Sequence, residues 1–347
     1  MSDLLTLTPQ GLYCPDAAAH IDPVRPVDRA IITHGHADHA RSGHGAVLAT
    51  RQTLEIMAIR YGADFCGQAQ AIGYGEVLTV GGVDVSLHPA GHVLGSAQVL
   101  LAARGRRTVV SGDYKRQPDP TCAPFEPVLC DTFVTEATFG LPVFRHPPAS
   151  GEIAKLLSSL ELFPDQTHLV GAYALGKAQR VIGELRAAGY TRVIYLHGAL
   201  EKLTAYYESQ GVGLGPVEPV GKRGKELKGE IVFCPPGQLS DRWARRFGDP
   251  VTAMASGWMR VRARARQRGA ELPLIVSDHA DWDDLCRTVI ETGAEQVWVT
   301  HGAEEALVHW CELNGRNARP LNMIGYDDGE DADTVPPADS AADRRNA

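Results

Sequence analysis

Residues 34–39 read His-Gly-His-Ala-Asp-His, which places three imidazoles and one carboxylate within six positions. They follow directly after the apolar run at 30–33, and a β-branched run that ends at a glycine predicts a strand giving way to a loop. The first two histidines can bind one ion, while the aspartate and the last histidine face a second ion. Neutral imidazole suits zinc, and mixed histidine and carboxylate ligands leave room for water, so the pattern predicts an open, catalytic metal site. A histidine-rich surface loop is the alternative reading.

Two further candidate ligands lie downstream. His92 occupies a glycine-punctuated turn at 89–96, after the strand-like run at 83–87, and Asp113 follows the β-branched run at 108–111. Each lies at the end of a predicted strand, where a loop can aim the side chain and the sheet holds it rigidly. A carboxylate that touches two ions neutralises charge between them, and we predict this bridging role for Asp113. For His92 alone, a capping or turn histidine is the alternative.

In this arrangement the chain resembles the metallo-β-lactamase fold, whose signature is His-x-His-x-Asp-His followed by a lone histidine and a lone aspartate. The acidic residue that precedes the signature in the family is matched by Asp22. The residues that match the signature are His34, His36, Asp38, His39, His92 and Asp113.

The chain also resembles the β-CASP subgroup, the nucleic-acid-processing branch of that fold. Glu136 matches an acidic residue at the end of a strand, His279 a histidine after an inserted domain, and His301 a last histidine at a strand end. The stretches 136–140, 255–259 and 276–282 are similar to bacterial ligase-associated DNA exonucleases, and the resemblance covers residues 1–326. It implies an α/β architecture, a metallo-β-lactamase αββα sandwich with an inserted β-CASP α/β domain.

The resemblance also implies the roles of the site residues. The metal set is His34, His36 and His92 for one ion and Asp38, His39 and His301 for the other, with Asp113 between them. Two Zn²⁺ ions are the expectation from the ligand types, and Mn²⁺ is the alternative because nitrogen and oxygen donors are mixed.

Asp38, Glu136 and His279 are the predicted catalytic residues. In family terms His279 binds phosphate and acts as general acid, oriented by Glu136, because a nearby carboxylate raises a histidine pKa. The alternatives are that His279 is a loop histidine paired with Asp278 or Asp281, and that Glu136 caps a turn.

The order of predicted elements divides the chain. The first part is rich in strands, whereas strands and helices alternate regularly from about residue 150, which predicts a parallel sheet and a domain of its own. We expect a metallo-β-lactamase domain in two parts, 1–149 and 260–326, around an inserted β-CASP domain at 150–259. A disordered acidic tail at 327–347 follows, because that stretch lacks aromatic residues and is rich in Ala, Asp and Pro.

Composition narrows the class of protein. No apolar run approaches the length of about 20 residues that crosses a bilayer, and the N-terminus lacks a secretory signal. Seven cysteines without a C-x-x-C pair indicate a reducing compartment, so we expect a cytoplasmic enzyme without a membrane partner. The net charge is −8, but residues 327–347 carry seven acidic and two basic residues, which leaves only −3 for residues 1–326.

Basic residues provide candidate contacts to a polyanion. Five arginines alternate with other residues between 260 and 268, and on an extended strand this spacing places all five on one face. A solvated charged edge explains them nearly as well. Phe139 and Trp258 either stack on a base or pack at the domain junction. The predicted nucleic-acid contacts are Lys115, Arg116, Lys177, Arg180, Arg260, Arg262 and Arg264.

Three functions follow from these observations. The first is a two-metal DNA exonuclease that acts in repair with a DNA ligase and a helicase of the same pathway, as the resemblance implies. The second is an RNA-processing nuclease of the same fold, since RNA-processing relatives also carry a histidine at the position of His301. The third is a metal-dependent hydrolase of small thioesters or lactams, or an inactive metal-bearing scaffold.

Overall fold

The computed structural model describes residues 3–321 and residue 323, a mixed α/β protein in which the described part holds three β-sheets. The predicted disordered tail at 327–347 lies outside the described residues. In chain order the strands are β1 Thr6–Thr8, β2 Gly11–Cys14, β3 Ala19–Ile21, β4 Arg29–Ile31, β5 His44–Ala49, β6 Cys66–Ala71, β7 Val77–Val80, β8 Val83–Pro89, β9 Ala97–Ala103, β10 Arg106–Val110, β11 Thr132–Ala137, β12 His168–Gly171, β13 Ile194–Leu196, β14 Val217–Pro219, β15 Ile231–Cys234, β16 Val251–Ala255, β17 Leu272–Leu274, β18 Gln296–Gly302 and β19 Asn317–Pro320. The α-helices are α1 Arg51–Tyr61, α2 Ala149–Leu162, α3 Lys177–Ala187, α4 Gly198–Ser209, α5 Arg262–Gln267, α6 Trp282–Glu291 and α7 Glu304–Leu313.

Two of the sheets pack face to face. The first has the order β1-β2-β3-β4-β5-β6 and the second β19-β18-β11-β10-β9-β8-β7. Alternate side chains of both enter one apolar core, for example Ile31 and Leu48 from the first sheet and Val99, Val110 and Val134 from the second. Burial of that face from both sides stabilises a β-sandwich.

Helices cover the outer faces of the sandwich. Leu54 and Met57 of α1 pack on the first sheet, while Leu285 of α6 and Leu307 of α7 pack on the second. The layer order is therefore helix, sheet, sheet, helix, as the resemblance predicts.

The third sheet, β14-β13-β15-β12-β16-β17, is entirely parallel and draws its strands from residues 168–274. Helices α2, α3 and α4 pack on one face, and their core also includes Ile56 of α1. The sequence predicts that the inserted domain ends at residue 259, but the last strand of this sheet, β17, lies beyond that residue. The predicted domain boundaries stay a prediction.

The extended arginine-rich strand predicted at 260–268 is wrong. Residues Gly257–Arg260 form a 3₁₀ turn and Arg262–Gln267 form α5. Arg and Ala are among the strongest helix formers, and a two-residue alternation on its own does not overcome that preference. The guanidinium groups therefore spread around a short helix rather than lining one face of a strand.

Candidate metal and nuclease site

The predicted site residues lie at one edge of the sandwich, where strands end. His34 follows β4, His92 follows β8 and Asp113 follows β10. Glu136 and His301 are the last residues but one of β11 and β18. Strands β8 and β10 run in the same direction because β9 is antiparallel to both, and β11 and β18 are parallel to β10. Their C-terminal ends therefore meet at the same edge, and each loop delivers one polar side chain there.

Asp113 occupies the centre of the site. Its Oδ2 lies 3.4 Å from Nε2 of His34, 3.4 Å from Nε2 of His39 and 3.8 Å from Nε2 of His92. Its Oδ1 lies 3.9 Å from Nδ1 of His301. One carboxylate thus reaches ring nitrogens on both sides of the site, which is the arrangement that a bridging ligand requires.

The remaining candidates complete two groups around Asp113. Ligand atoms of His34, His36, His92 and Asp113 lie within 4.8 Å of one another, and so do those of His39, Asp113 and His301. Oδ2 of Asp38 lies 3.6 Å from Nε2 of His39, on the side of the second group. All seven predicted metal ligands are thereby brought together.

Two side chains, those of Asp22 and Thr33, fix the orientation of the His39 and His34 rings. Nδ1 of His39 donates to Oδ2 of Asp22 over 2.8 Å. Thr33 Oγ1 donates to the same oxygen over 2.6 Å and accepts a hydrogen bond from Nδ1 of His34 over 2.9 Å. With Nδ1 engaged in these bonds, the Nε2 atom of each ring faces Asp113.

His36 and His92 are held by backbone carbonyls. Nε2 of His36 lies 3.2 Å from the carbonyl oxygen of Leu175, and Nδ1 of His92 lies 2.7 Å from that of Asp278. A nitrogen that faces a carbonyl carries the proton, so the other nitrogen of each ring carries a lone pair. Those two nitrogens, Nδ1 of His36 and Nε2 of His92, lie 2.9 Å apart.

These positions fit bound cations. Two lone pairs that face each other at 2.9 Å repel unless a positive charge lies next to both. Nε2 of His34 and Oδ1 of Asp38 are also buried without a hydrogen-bond partner within the described residues, and an unpaired buried polar atom costs about 1–3 kcal/mol. The buried His/Asp cluster can therefore hold metal ions, which satisfy all four atoms at once.

Burial keeps several of these rings neutral. It lowers the pKa of His34 to about 3, with a further contribution from His39, and it lowers the pKa of His301 to about 4. For His39 burial also acts downward, but the carboxylates of Asp113 and Asp38 outweigh it and raise its pKa. The same pairing with His39 and His34 overcomes burial and holds the pKa of Asp113 well below its usual value. The site thus combines an ionised Asp113 carboxylate with the neutral imidazoles of His34 and His301, donor types that zinc binds.

The backbone is unusual at two of these positions. Asp22 (φ 44°) and His301 (φ 60°) adopt the left-handed region, which non-glycine residues seldom enter. His301 is also the extra residue of a β-bulge, since Glu136 pairs with Thr300 while Ala137 pairs with Gly302. A bulge redirects one side chain, and here it turns His301 toward Asp113.

Glu136 and His279 form a pair beside Asp113. Nδ1 of His279 lies 2.8 Å from Oε2 of Glu136, and the backbone N–H of Tyr114 donates to Oε1 of Glu136 over 2.7 Å. Atoms of Asp113, Glu136 and His279 lie within 4.8 Å of one another. The His279–Glu136 pairing is the one that the resemblance implies.

Similarity to known proteins agrees with this chemistry, although no family model matches the chain. It is 29% identical over 299 residues to a probable DNA ligase of Opitutus terrae, covering 84% of this chain and 28% of that protein. It is 30% identical over 220 residues to Ribonuclease TTHA0252 of Thermus thermophilus, covering 55% and 48% respectively. With Endoribonuclease ysh1 of Emericella nidulans it shares 31% identity over 144 residues, covering 40% and 15%.

These relatives support the β-CASP nuclease family. They do not select a subgroup, and the chain spans less than half the length of each of the three. A crystal structure of a protein of unknown function from Enterococcus faecalis superposes with a TM-score of 0.53 at 12% identity, covering 78% of this chain and 74% of that one, which is a likeness in fold alone.

Three of the predicted nucleic-acid contacts are buried. The side chains of Lys115, Lys177 and Arg180 are at most 1% exposed and pair with Asp119 and Asp278. Their burial contradicts direct contact with a polyanion in this structure. Arg116 is only partly exposed; it pairs with Glu291 over 2.7 Å and lies over the ring of Phe125.

The aromatic candidates differ from each other. Phe139 is completely buried, so it packs at the junction rather than stacking on a base. Trp258 is partly exposed and contacts Phe139 on one side, with ring centroids 4.9 Å apart, while the guanidinium of Arg264 lies 3.7 Å from its centroid. The arginines at 260, 262 and 264 are all exposed.

Several site residues were missed by sequence reasoning. The carbonyl groups of Leu175 and Asp278 leave no signal in the sequence, because every residue has one. Thr33 was read only as part of a strand. Its hydroxyl group and its position one residue before His34 are the only sequence signals for its hydrogen bond to Asp22.

Within the described residues, no helix is long and apolar enough to span a membrane.

Proposed function

We propose that this chain is a two-metal-dependent DNA exonuclease that hydrolyses phosphodiester bonds in DNA repair, alongside a DNA ligase and a helicase. The observation that carries the nuclease proposal is the Glu136–His279 pair directly beside the cluster centred on Asp113. The support for DNA is the match to a protein named probable DNA ligase, since it covers 84% of this chain.

The proposal assigns two Zn²⁺ ions, with Mn²⁺ as the alternative. His34, His36 and His92 would hold one ion, Asp38, His39 and His301 the other, and Asp113 both. When bound, such ions lower the pKa of water toward neutrality and offset the negative charge that develops on a phosphodiester under attack.

His279 supplies a proton in this proposal. Glu136 accepts a hydrogen bond from Nδ1 of His279 and is itself fixed by the backbone N–H of Tyr114, so the imidazole has one orientation. A protonated ring held there can bind a phosphate oxygen and pass a proton to the leaving oxygen.

The exposed arginines around α5 are the proposed contacts to the DNA backbone. Arg260, Arg262 and Arg264 lie within seven residues of Trp258, whose neighbour Phe139 is 6.1 Å from the ring of His279. Replacing all three by alanine is expected to weaken DNA binding and to reduce the slope of log K against log salt by about 2 to 3, since each phosphate contact contributes about 0.7 to 0.9. Binding titrations at several salt concentrations measure this slope.

A matched control lies at the far end of the sandwich. Arg104 lies in the turn between β9 and β10, and Arg106 and Arg107 are the first residues of β10, at the opposite end of that strand from Asp113. Their triple alanine variant removes the same charge and should leave the slope within about one unit of the wild type. Equal slopes for the two triple variants would refute the α5 contact.

RNA is the second candidate substrate, because two relatives are named ribonucleases. End-labelled DNA and RNA oligonucleotides of identical sequence separate the two functions. We expect release of nucleotides from DNA ends at least tenfold faster than from RNA. Faster RNA cleavage assigns the alternative, and no release from either polymer with Zn²⁺ or Mn²⁺ supplied rejects the nuclease proposal altogether.

We also propose a cytoplasmic location and the inserted domain at 150–259. All seven cysteines are free thiols, which is compatible with a reducing compartment.

A further inference from the structure

Five charged side chains form a buried cluster behind the metal ligands. They are at most 6% exposed and comprise Lys115, Lys177, Arg180, Asp119 and Asp278. Nζ of Lys177 lies 3.2 Å from Asp278, and Nζ of Lys115 lies 2.5 Å from Asp119 and 3.9 Å from Asp278. Below we call these five residues the ion cluster.

The ion cluster is poorly explained by stability alone. Removing charges from water costs several kcal/mol per ion, and well-packed apolar residues often serve stability as well or better. Three cations also face only two carboxylates. A buried network of this kind points to a role in positioning neighbouring residues.

The cluster binds the segment that carries the outer contact of His92. Lys177 Nζ donates to the carbonyl of Val276 over 2.8 Å, and Arg180 donates to the carbonyl of Ser277. The next carbonyl, that of Asp278, accepts Nδ1 of His92. Two cations thus hold the carbonyl groups of residues 276 and 277, directly before the carbonyl that meets the histidine.

Two further contacts connect the cluster to the metal ligands. Lys115 Nζ donates to the backbone carbonyl of His92 over 3.3 Å, so this cation fixes the main chain of the ligand. Lys177 begins α3, and Leu175, only two residues earlier, supplies the carbonyl beside Nε2 of His36. Displacement of the start of α3 would therefore move the outer contact of a second ligand.

We propose that the ion cluster is a positioning element for the metal group formed by His34, His36 and His92, with Lys177 as its central residue. It acts by fixing the carbonyl groups that select the proton position and orientation of His36 and His92. The inference rests on the proposed metal centre and adds residues that themselves touch neither substrate nor ion. Removal of comparable outer contacts costs about 10- to 100-fold in metal affinity.

Lys177→Met is the sharpest test. It removes the excess positive charge and leaves both carboxylates paired, because Lys115 and Arg180 remain beside them. We expect Zn²⁺ affinity at one of two sites to fall about 10- to 100-fold in chelator-buffered titrations. Lys177→Arg, which keeps the charge, should recover most of it. Lys202→Met, an exposed lysine on α4, is the matched control and should bind both ions as the wild type does.

The outcomes separate this inference from the proposed function. Two Zn²⁺ ions bound by Lys177→Met with wild-type affinity overturn it, whatever the nuclease activity. If Lys177→Met does not fold, Arg180→Lys replaces it with the same expectation, because the charge stays while the bond to Ser277 is lost. A wild-type chain that binds two ions but releases no nucleotides rejects the proposed function and leaves the positioning role intact.

Discussion

Replacing Asp38 by alanine is expected to reduce nucleotide release from DNA about 1,000-fold while leaving the fold intact. Oδ1 of Asp38 makes no hydrogen bond within the described residues, so its loss removes no internal bond at that atom. The substitution does remove one of the three residues, Asp38, His39 and His301, that are proposed to hold the second ion. A loss of about 4 kcal/mol of charge stabilisation corresponds to this factor at 1.36 kcal/mol per tenfold. Release from end-labelled DNA measures it, with thermal melting to check the fold.

Asp64→Ala provides the control for this substitution, since Asp64 is an exposed carboxylate after α1. It should release nucleotides at the wild-type rate. Turnover by Asp38→Ala within tenfold of the wild type would refute the assignment of Asp38 to the metal site.

Replacing His279 by alanine should lower kcat about 100- to 10,000-fold with little change in DNA affinity. The reason is that general acid catalysis contributes a factor of this size. The side chain is only 2% exposed and is held by Glu136, so in the proposal it reaches little of the polymer beyond the phosphate under attack, and its loss should cost little binding energy. Single-turnover rates combined with binding titrations measure the two quantities separately.

The leaving group offers a second readout for His279. In a p-nitrophenyl ester of a nucleotide, the leaving group is p-nitrophenolate, a stable anion that needs no proton. The loss in rate for His279→Ala should therefore be much smaller with this substrate. His309→Ala, an exposed histidine on α7, should behave as the wild type with both substrates. An equal loss on DNA and on the activated ester would exclude proton donation by His279.

The local pattern was sufficient to group most of the candidate metal ligands in the sequence. His34 to His39, His92 and Asp113 each follow an apolar run, and strand ends in such sheets deliver side chains to one edge. The structure brings these residues together for that reason. Their assignment to particular ions still depends on the resemblance, because spacing alone does not show which nitrogen faces which neighbour.

Other features depended on tertiary contacts that a single sequence does not reveal. Lys115 lies just past Asp113, and Lys177 and Arg180 lie at a predicted helix N-terminus, which predicts contacts to DNA. All three are instead buried in ion pairs, a position that charged side chains seldom occupy. The arginines from 260 onward were read with a period of two, whereas helix propensity determines the conformation of α5. The bulge at His301 requires the register of β18 against β11, which only the folded sheet provides.

Anomalous diffraction from crystals grown with Zn²⁺ tests the two-ion site most directly. We expect two peaks, one bound by His34, His36 and His92 and the other by Asp38, His39 and His301, with Asp113 in contact with both. Peaks located elsewhere, or His92, Asp113 or His301 outside bonding distance of both ions, would contradict the proposed metal centre and the mechanism that depends on it.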